Sequence, residues 1–134
     1  MRAVVCREFG HYRDMAIETV DDPTPGPGQV AIRVQATAVS FANILQIAGK
    51  HQNKAEPPFT PGAEISGIVS AIGPGVSGFA PGDRVVAAVS NGGHAEIAVA
   101  RTDLTFKMPD SMSFPEGTVF PSILATSYAG VVIE

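Results

Sequence analysis

Along residues 29–39 polar and apolar side chains alternate, with Val30, Ile32 and Val34 on one side and Arg33, Gln35 and Thr37 on the other. A period of two marks a strand with one buried face. Shorter runs at 3–6, 15–20, 65–72, 84–89, 95–100 and 104–107 read as further strands, separated by Gly/Pro corners. Between Ser40 and Gly49 the spacing turns helical, and Phe41, Ile44, Leu45 and Ala48 fall on one stripe. Ser40 is suited to the N-cap and Gly49 to the C-terminal stop. Residues 21–28 form a turn-rich break, and 50–60 a polar, proline-containing loop. Strands and helices do not alternate before Ser111. The pattern predicts a mainly β fold, a partly open barrel with one short helix near 40–49.

The last segment differs. Ser113 and Glu116 have the spacing of a capping box, with Pro115 in the first turn. Residues 121–133 are then apolar and uncharged, too few to span a hydrocarbon core of about 30 Å. They read as a helix with no partner in this chain to bury it fully. We expect one domain over 1–118 and, over 119–134, the start of a helical connection. The 119–133 stretch is expected to be disordered or covered by a second copy in a homodimer.

Composition narrows the function classes. The 134 residues carry a formal charge of −4 and no Lys/Arg cluster, so the footprint of a nucleic-acid binder is missing. A single cysteine, Cys6, excludes an internal disulfide and a four-cysteine zinc lobe. The apolar run at 3–6 is too short for a signal peptide. The expected setting is cytoplasmic, away from membranes.

Gly73, Gly75 and Gly78 spell the nominal dinucleotide fingerprint G-x-G-x-x-G. That motif works where a strand enters a turn and then a helix whose N-terminus holds a pyrophosphate. Here Pro81 and Gly82 fall where the helix would begin, and both oppose it. The motif reads as a hairpin corner, and no Rossmann turn is expected.

Taken in order, PGAEISGIVSAIGPGVSGFAPGDRV (61–85), GGHAE (92–96), MPDSMSFPEG (108–117) and ATSY (125–128) resemble the N-terminal part of medium-chain dehydrogenases/reductases. The likeness is greatest to the zinc-free quinone oxidoreductase branch, and it covers the chain from Arg2 to about Tyr128. It implies a GroES-like barrel as the catalytic domain, followed in such proteins by a Rossmann domain for NADPH that this chain lacks. By the same resemblance Ser40, Phe41, Asn43, Glu64 and Thr126 belong to the substrate and cofactor cleft. Asn43 stands in a usual aspartate position, and Thr126 matches a threonine near the nicotinamide.

Residue types speak to zinc. Zinc-dependent relatives carry Gly-His-Glu where this chain has Gly62-Ala63-Glu64, and a cysteine where it has Ser40. Ala63 has no coordinating atom, while catalytic zinc takes three protein ligands. The expectation is therefore no metal, and hydride transfer from NADPH to a quinone or α,β-unsaturated carbonyl, whose negative charge spreads by conjugation. No nucleophile–base pair stands out, so the catalytic residues are left unassigned. Glu64 is expected to form a structural ion pair with Arg84, Asp83 and Arg84 to stabilise their turn, and His94 to play a structural part. Ser40 suits an N-cap as well as a ligand contact, and Thr126 suits a hydroxyl bonded within its own helix. Two alternatives remain: a zinc-type relative that has lost its metal and acts as a binding module, and a non-enzymatic co-chaperonin-like barrel.

Overall fold

A computed structural model describes residues 1–133; the Glu134 end of the expected helical connection lies outside the described residues. Strands β1 (Arg2–Val5) and β2 (Ala16–Thr19) pair as an antiparallel hairpin. The strands β3 (Gln29–Thr37), β4 (Glu64–Ile72), β5 (Arg84–Ala88), β6 (Ile97–Arg101) and β7 (Thr105–Lys107) form a second sheet in the order β6-β3-β4-β5-β7. All of its neighbours are antiparallel. Helix α1 (Phe41–Ile47) bridges β3 and the 50–60 loop. These elements lie where the hydrophobic pattern predicts them, displaced at their ends by one or two residues.

The core fills one face of a curled sheet. Val30 and Ile32 of β3, Ile65 and Val69 of β4, Val85 and Ala87 of β5, and Ala98 and Ala100 of β6 are buried together. The β3–β4 ladder shifts register between Ala31 and Ile32 and again between Val34 and Ala36. Such irregularities bend a pair of strands and turn a flat sheet toward a barrel. Between the two shifts β3 lies close against β4 at Gly67, opposite Val34. A Cβ at that glycine would come 2.1 Å from the Arg33 carbonyl oxygen, so the backbones approach closer than a side chain permits. A smaller cluster of Cys6, Ile47 and Phe59 ties β1 to α1 and the 50–60 loop, and a bridge between Cys6 and Phe59 reinforces it.

The G-x-G-x-x-G stretch lies between β4 and β5 with no helix after it. Gly75 and Gly78 adopt φ of 72° and 84°, which makes the segment a corner. At the turn before β5, Asp83 accepts from the Ala80 N–H at 2.9 Å and pairs with Lys107 at 3.0 Å. Arg84 leaves that turn for another partner, described below.

From Phe114 the chain is helical: α2 (Phe114–Val119), wider π-type turns over Phe120–Leu124, α3 (Ala125–Tyr128), and wider turns again over Ala129–Ile133. The capping box forms, with the Ser113 N–H donating to the Glu116 carboxylate at 2.9 Å. Pro121 has no N–H to return to Gly117, and the helix widens there. The helical run is continuous across residues 118 and 119, and most of its side chains beyond Thr118 are exposed. Its base is bound to the sheet by hydroxyls. Ser66 Oγ lies 2.6 Å from the Phe114 carbonyl and 2.7 Å from Thr118 Oγ1, so these buried polar atoms satisfy one another.

Replacing Gly67 by alanine should force β3 and β4 apart and cost about 1–3 kcal/mol, the usual range for overpacking. Urea unfolding followed by circular dichroism measures it. An unchanged midpoint would show that the two strands part without cost.

Candidate substrate cleft at the sheet edge

β3 ends, β4 begins and β5 ends at the same edge of the sheet, and backbone bonds hold the three together. The Ala38 N–H donates to the Glu64 carbonyl at 3.0 Å, and the Val89 N–H donates to the Ala63 carbonyl at 2.8 Å. Thr37 Oγ1 donates to the same Glu64 carbonyl at 3.1 Å. Behind them, two loops are stitched together by bonds from Gly92 to Thr60 (2.6 Å), Gly93 to Gly62 (3.1 Å) and His94 to Pro61 (2.8 Å). Gly62 sits at φ 104°, and a Cβ there would lie 2.6 Å from the His94 nitrogen. Only glycine fits that crossing.

Helix α1 presents its faces otherwise than the apolar stripe predicts. Asn43 (3% exposed), Gln46 (6%) and Ile47 are buried, while Phe41 is 72% exposed and Ile44 and Val39 also point outward. The inward amides form a chain. Asn43 Oδ1 accepts from the Ser40 N–H at 2.9 Å and lies 3.3 Å from Ser40 Oγ. Asn43 Nδ2 lies 3.4 Å from Gln46 Oε1, and Gln46 Nε2 donates to the Ser90 carbonyl at 3.1 Å. Because each buried amide is bonded, burying it costs little, and Phe41 and Ile44 are released as an outer apolar wall. Ser40 is thus the residue before the helix, and Asn43 is the other half of its cap. Sequence reasoning missed Gln46; its spacing of three from Asn43, which sets two amides on one face, was the available signal.

The expected ion pair between Glu64 and Arg84 does not form. In the ladder Glu64 faces Ala88 while Arg84 faces Ile68, so four residues, about 13 Å, separate them along the strands. Arg84 lies over the Phe114 ring, 4.3 Å from its centre, and donates to the Met112 carbonyl at 2.5 Å. Glu64 Oε1 is left buried with no hydrogen-bond partner among the described residues. Thr126 stands exposed on α3, a different element from those that meet at the edge. The structure therefore gathers Ser40, Asn43 and Glu64 at the β3–β4–β5 edge and leaves Phe41 on its outer side.

Among the described residues no three His, Cys, Asp or Glu side chains cluster at metal-ligating range, and no helix is long and apolar enough to cross a membrane. A cavity of about 670 Å³ opens elsewhere, between β5, β7 and the C-terminal helix. Its walls include Val86, Phe106, Met108, Phe120, Leu124 and Tyr128. None of the residues expected in the cleft lines it, and it lacks the converging polar groups that orient a ligand.

His94 is half-buried and bound through its ring. Thr37 has one hydroxyl proton, which goes to the Glu64 carbonyl, so His94 Nδ1, 3.1 Å from Thr37 Oγ1, is the donor of that contact. The neutral ring thus carries its proton on Nδ1. Desolvation by burial holds the His94 pKa below the ordinary histidine value of 6.5.

Residues 26–110 match the alcohol dehydrogenase GroES-like domain. The chain is 38% identical over 128 residues to the synaptic vesicle membrane protein VAT-1 homolog-like of Mus musculus, covering 96% of this chain and 31% of that protein. The crystal structure of the human VAT-1 homolog-like protein superposes with a TM-score of 0.95 at 36% identity, covering 99% of this chain and 42% of that one. The quinone oxidoreductase from Thermus thermophilus, also solved in complex with NADPH, gives 0.81 at 28% identity, covering 98% and 40%. The chain thus spans about a third of the length of the first curated relatives it matches.

The depressed His94 pKa makes stability depend on pH. Above 6.5 the ring is neutral in both states and its contribution is complete. As pH falls below that value the unfolded chain takes up the proton first, so stability drops until the lower native pKa is passed. Urea midpoints should therefore be lower at pH 5.5 than at pH 7.5, and His94→Gln should shrink the difference. Equal differences in both proteins would remove His94 from the account.

Proposed function

Because this chain belongs to the quinone oxidoreductase-like branch of the medium-chain dehydrogenase/reductase superfamily, we propose that it supplies the substrate-cleft domain of a zinc-independent, NADPH-dependent reductase. Its substrate would be a quinone or an α,β-unsaturated carbonyl. The observation that carries this reading is the set of groups at the β3–β4–β5 edge. Ser40 and the bonded amides of Asn43 and Gln46 lie there beside Ala63, so a hydroxyl and an alanine stand where zinc-dependent relatives carry a thiolate and an imidazole. Beside them the exposed Phe41, Ile44 and Val39 provide an apolar wall for a flat conjugated ring.

Those residues suit a nicotinamide as well: an apolar face for its ring and fixed polar groups for its amide. NADPH, when bound, supplies the hydride. Ser40 and Asn43 orient polar atoms, and Phe41 screens the site from water. Thr126, on the helix leading away from the barrel, is proposed to approach the same cofactor in the full-length protein. A conjugated acceptor spreads its added negative charge over its own π system, so the Lewis acid that an isolated carbonyl needs is dispensable. The nucleotide itself would be held by a further domain, and the 134 residues alone would be inactive.

Full-length protein assayed with NADPH and 1,4-naphthoquinone should turn over, retain its rate in 1,10-phenanthroline and contain no stoichiometric zinc by mass spectrometry. Phe41→Ala should raise KM for the naphthoquinone roughly tenfold, the worth of about 1.4 kcal/mol of lost apolar contact. Zinc at one equivalent with chelator-sensitive activity would sink the zinc-independent reading. Turnover by the 134-residue chain alone would sink the requirement for a further domain.

A further inference from the structure

Hydrogen-bond direction along α1 is fixed from both of its ends. The Ser90 carbonyl can only accept, so the end of the Gln46 amide that faces it is the NH2. The Gln46 oxygen is thereby turned toward Asn43, whose NH2 lies 3.4 Å away. At the other end the Ser40 N–H can only donate, and it points at the Asn43 oxygen from 2.9 Å. Flipping either amide would set oxygen against oxygen or NH2 against N–H. Ser40 Oγ, 3.3 Å from that same Asn43 oxygen, therefore commits its single proton to the protein. What remains for a ligand is its lone pairs.

We propose that Gln46 is a positioning residue: bonded to the Ser90 carbonyl and to Asn43, it holds the Ser40 hydroxyl as a hydrogen-bond acceptor for the carboxamide N–H of a nicotinamide cofactor. The proposal rests on the reductase reading above. It assigns the half-buried serine a selective part, since a ligand group with only acceptor atoms meets lone pairs there. Gln46 touches neither cofactor nor substrate; it acts through Asn43.

The test is equilibrium binding by calorimetry, using full-length protein with NADP⁺ and with its 3-acetylpyridine analogue, in which a methyl ketone replaces the carboxamide. Wild-type protein should prefer NADP⁺, and Gln46→Leu should reduce that preference about fivefold, the worth of one neutral hydrogen bond. Ser40→Ala should lose the same factor, and the double variant no more than either alone. Gln46→Glu should regain the preference below the pKa of its own carboxyl, where the protonated group can donate to Ser90 and accept from Asn43, and lose it once the pH rises above that value. Equal weakening of both dinucleotides in Gln46→Leu would overturn the proposal and leave Gln46 a packing role. Ser40→Ala decides the matter if Gln46→Leu fails to fold: an unchanged preference there overturns the proposal too. Binding of neither dinucleotide by the wild type would overturn the reductase reading, and this inference with it, whereas naphthoquinone turnover with an unaltered preference in all variants would overturn the inference alone.

Discussion

The close approach of β3 to β4 at Gly67 is where the geometry of the molecule is decided. Two register shifts flank it, and the absent side chain lets the Arg33 carbonyl lie against the glycine. With the strands bent in this way, the side chains of β3, β4, β5 and β6 converge on one apolar interior. Antiparallel pairing brings the end of β3, the start of β4 and the end of β5 to a common edge, with Thr37 opposite Ile65 and Glu64 opposite Ala88. Helix α1 and the two stitched loops are then placed by short connections, which is why Ser40, Ala63 and Glu64 come together although 24 residues separate the first from the last.

The strands were legible because alternation in 29–39 names a buried face and Gly/Pro corners bound the shorter runs. The glycine-rich corner was legible for a second reason: Pro81 and Gly82 forbid the helix that a nucleotide turn requires. Helix α1 was legible in position but not in orientation. Its apolar stripe competes with an amide face whose burial cost is offset by bonds to Ser90, a backbone atom 44 residues from Gln46. Local spacing carries no trace of such a partner. The failed pairing of Glu64 with Arg84 has a similar origin, since strand register decides it and register depends on the turn between β4 and β5.

Polar groups in this domain are arranged by direction as much as by charge. Three short chains serve different ends: Ser66 with Thr118 under α2, Thr37 with His94 behind the cleft, and Asn43 with Gln46 inside α1. Each ends on a backbone carbonyl, which can only accept. The surface ion pairs, such as Arg2 with Glu96 and Arg101 with Asp103, are exposed and exchange freely with water and salt. Definition of the cleft therefore comes from neutral hydrogen bonds in a water-poor interior, and the charged periphery leaves it largely untouched.

Strand β7 closes one margin of the sheet after only three residues, and its brevity bears on colloidal behaviour. A long, flat margin of unpaired N–H and C=O groups recruits neighbouring chains into ribbons, which is how many β-proteins precipitate. Three residues give such a ribbon almost nothing to zip onto. Lys107 adds a charge at the end of the strand, drawn to one side by Asp83, and β5 covers the other flank. Phe106, half in solvent on this margin and half toward the cavity beside the C-terminal helix, therefore sits on a strand too short to seed a fibril.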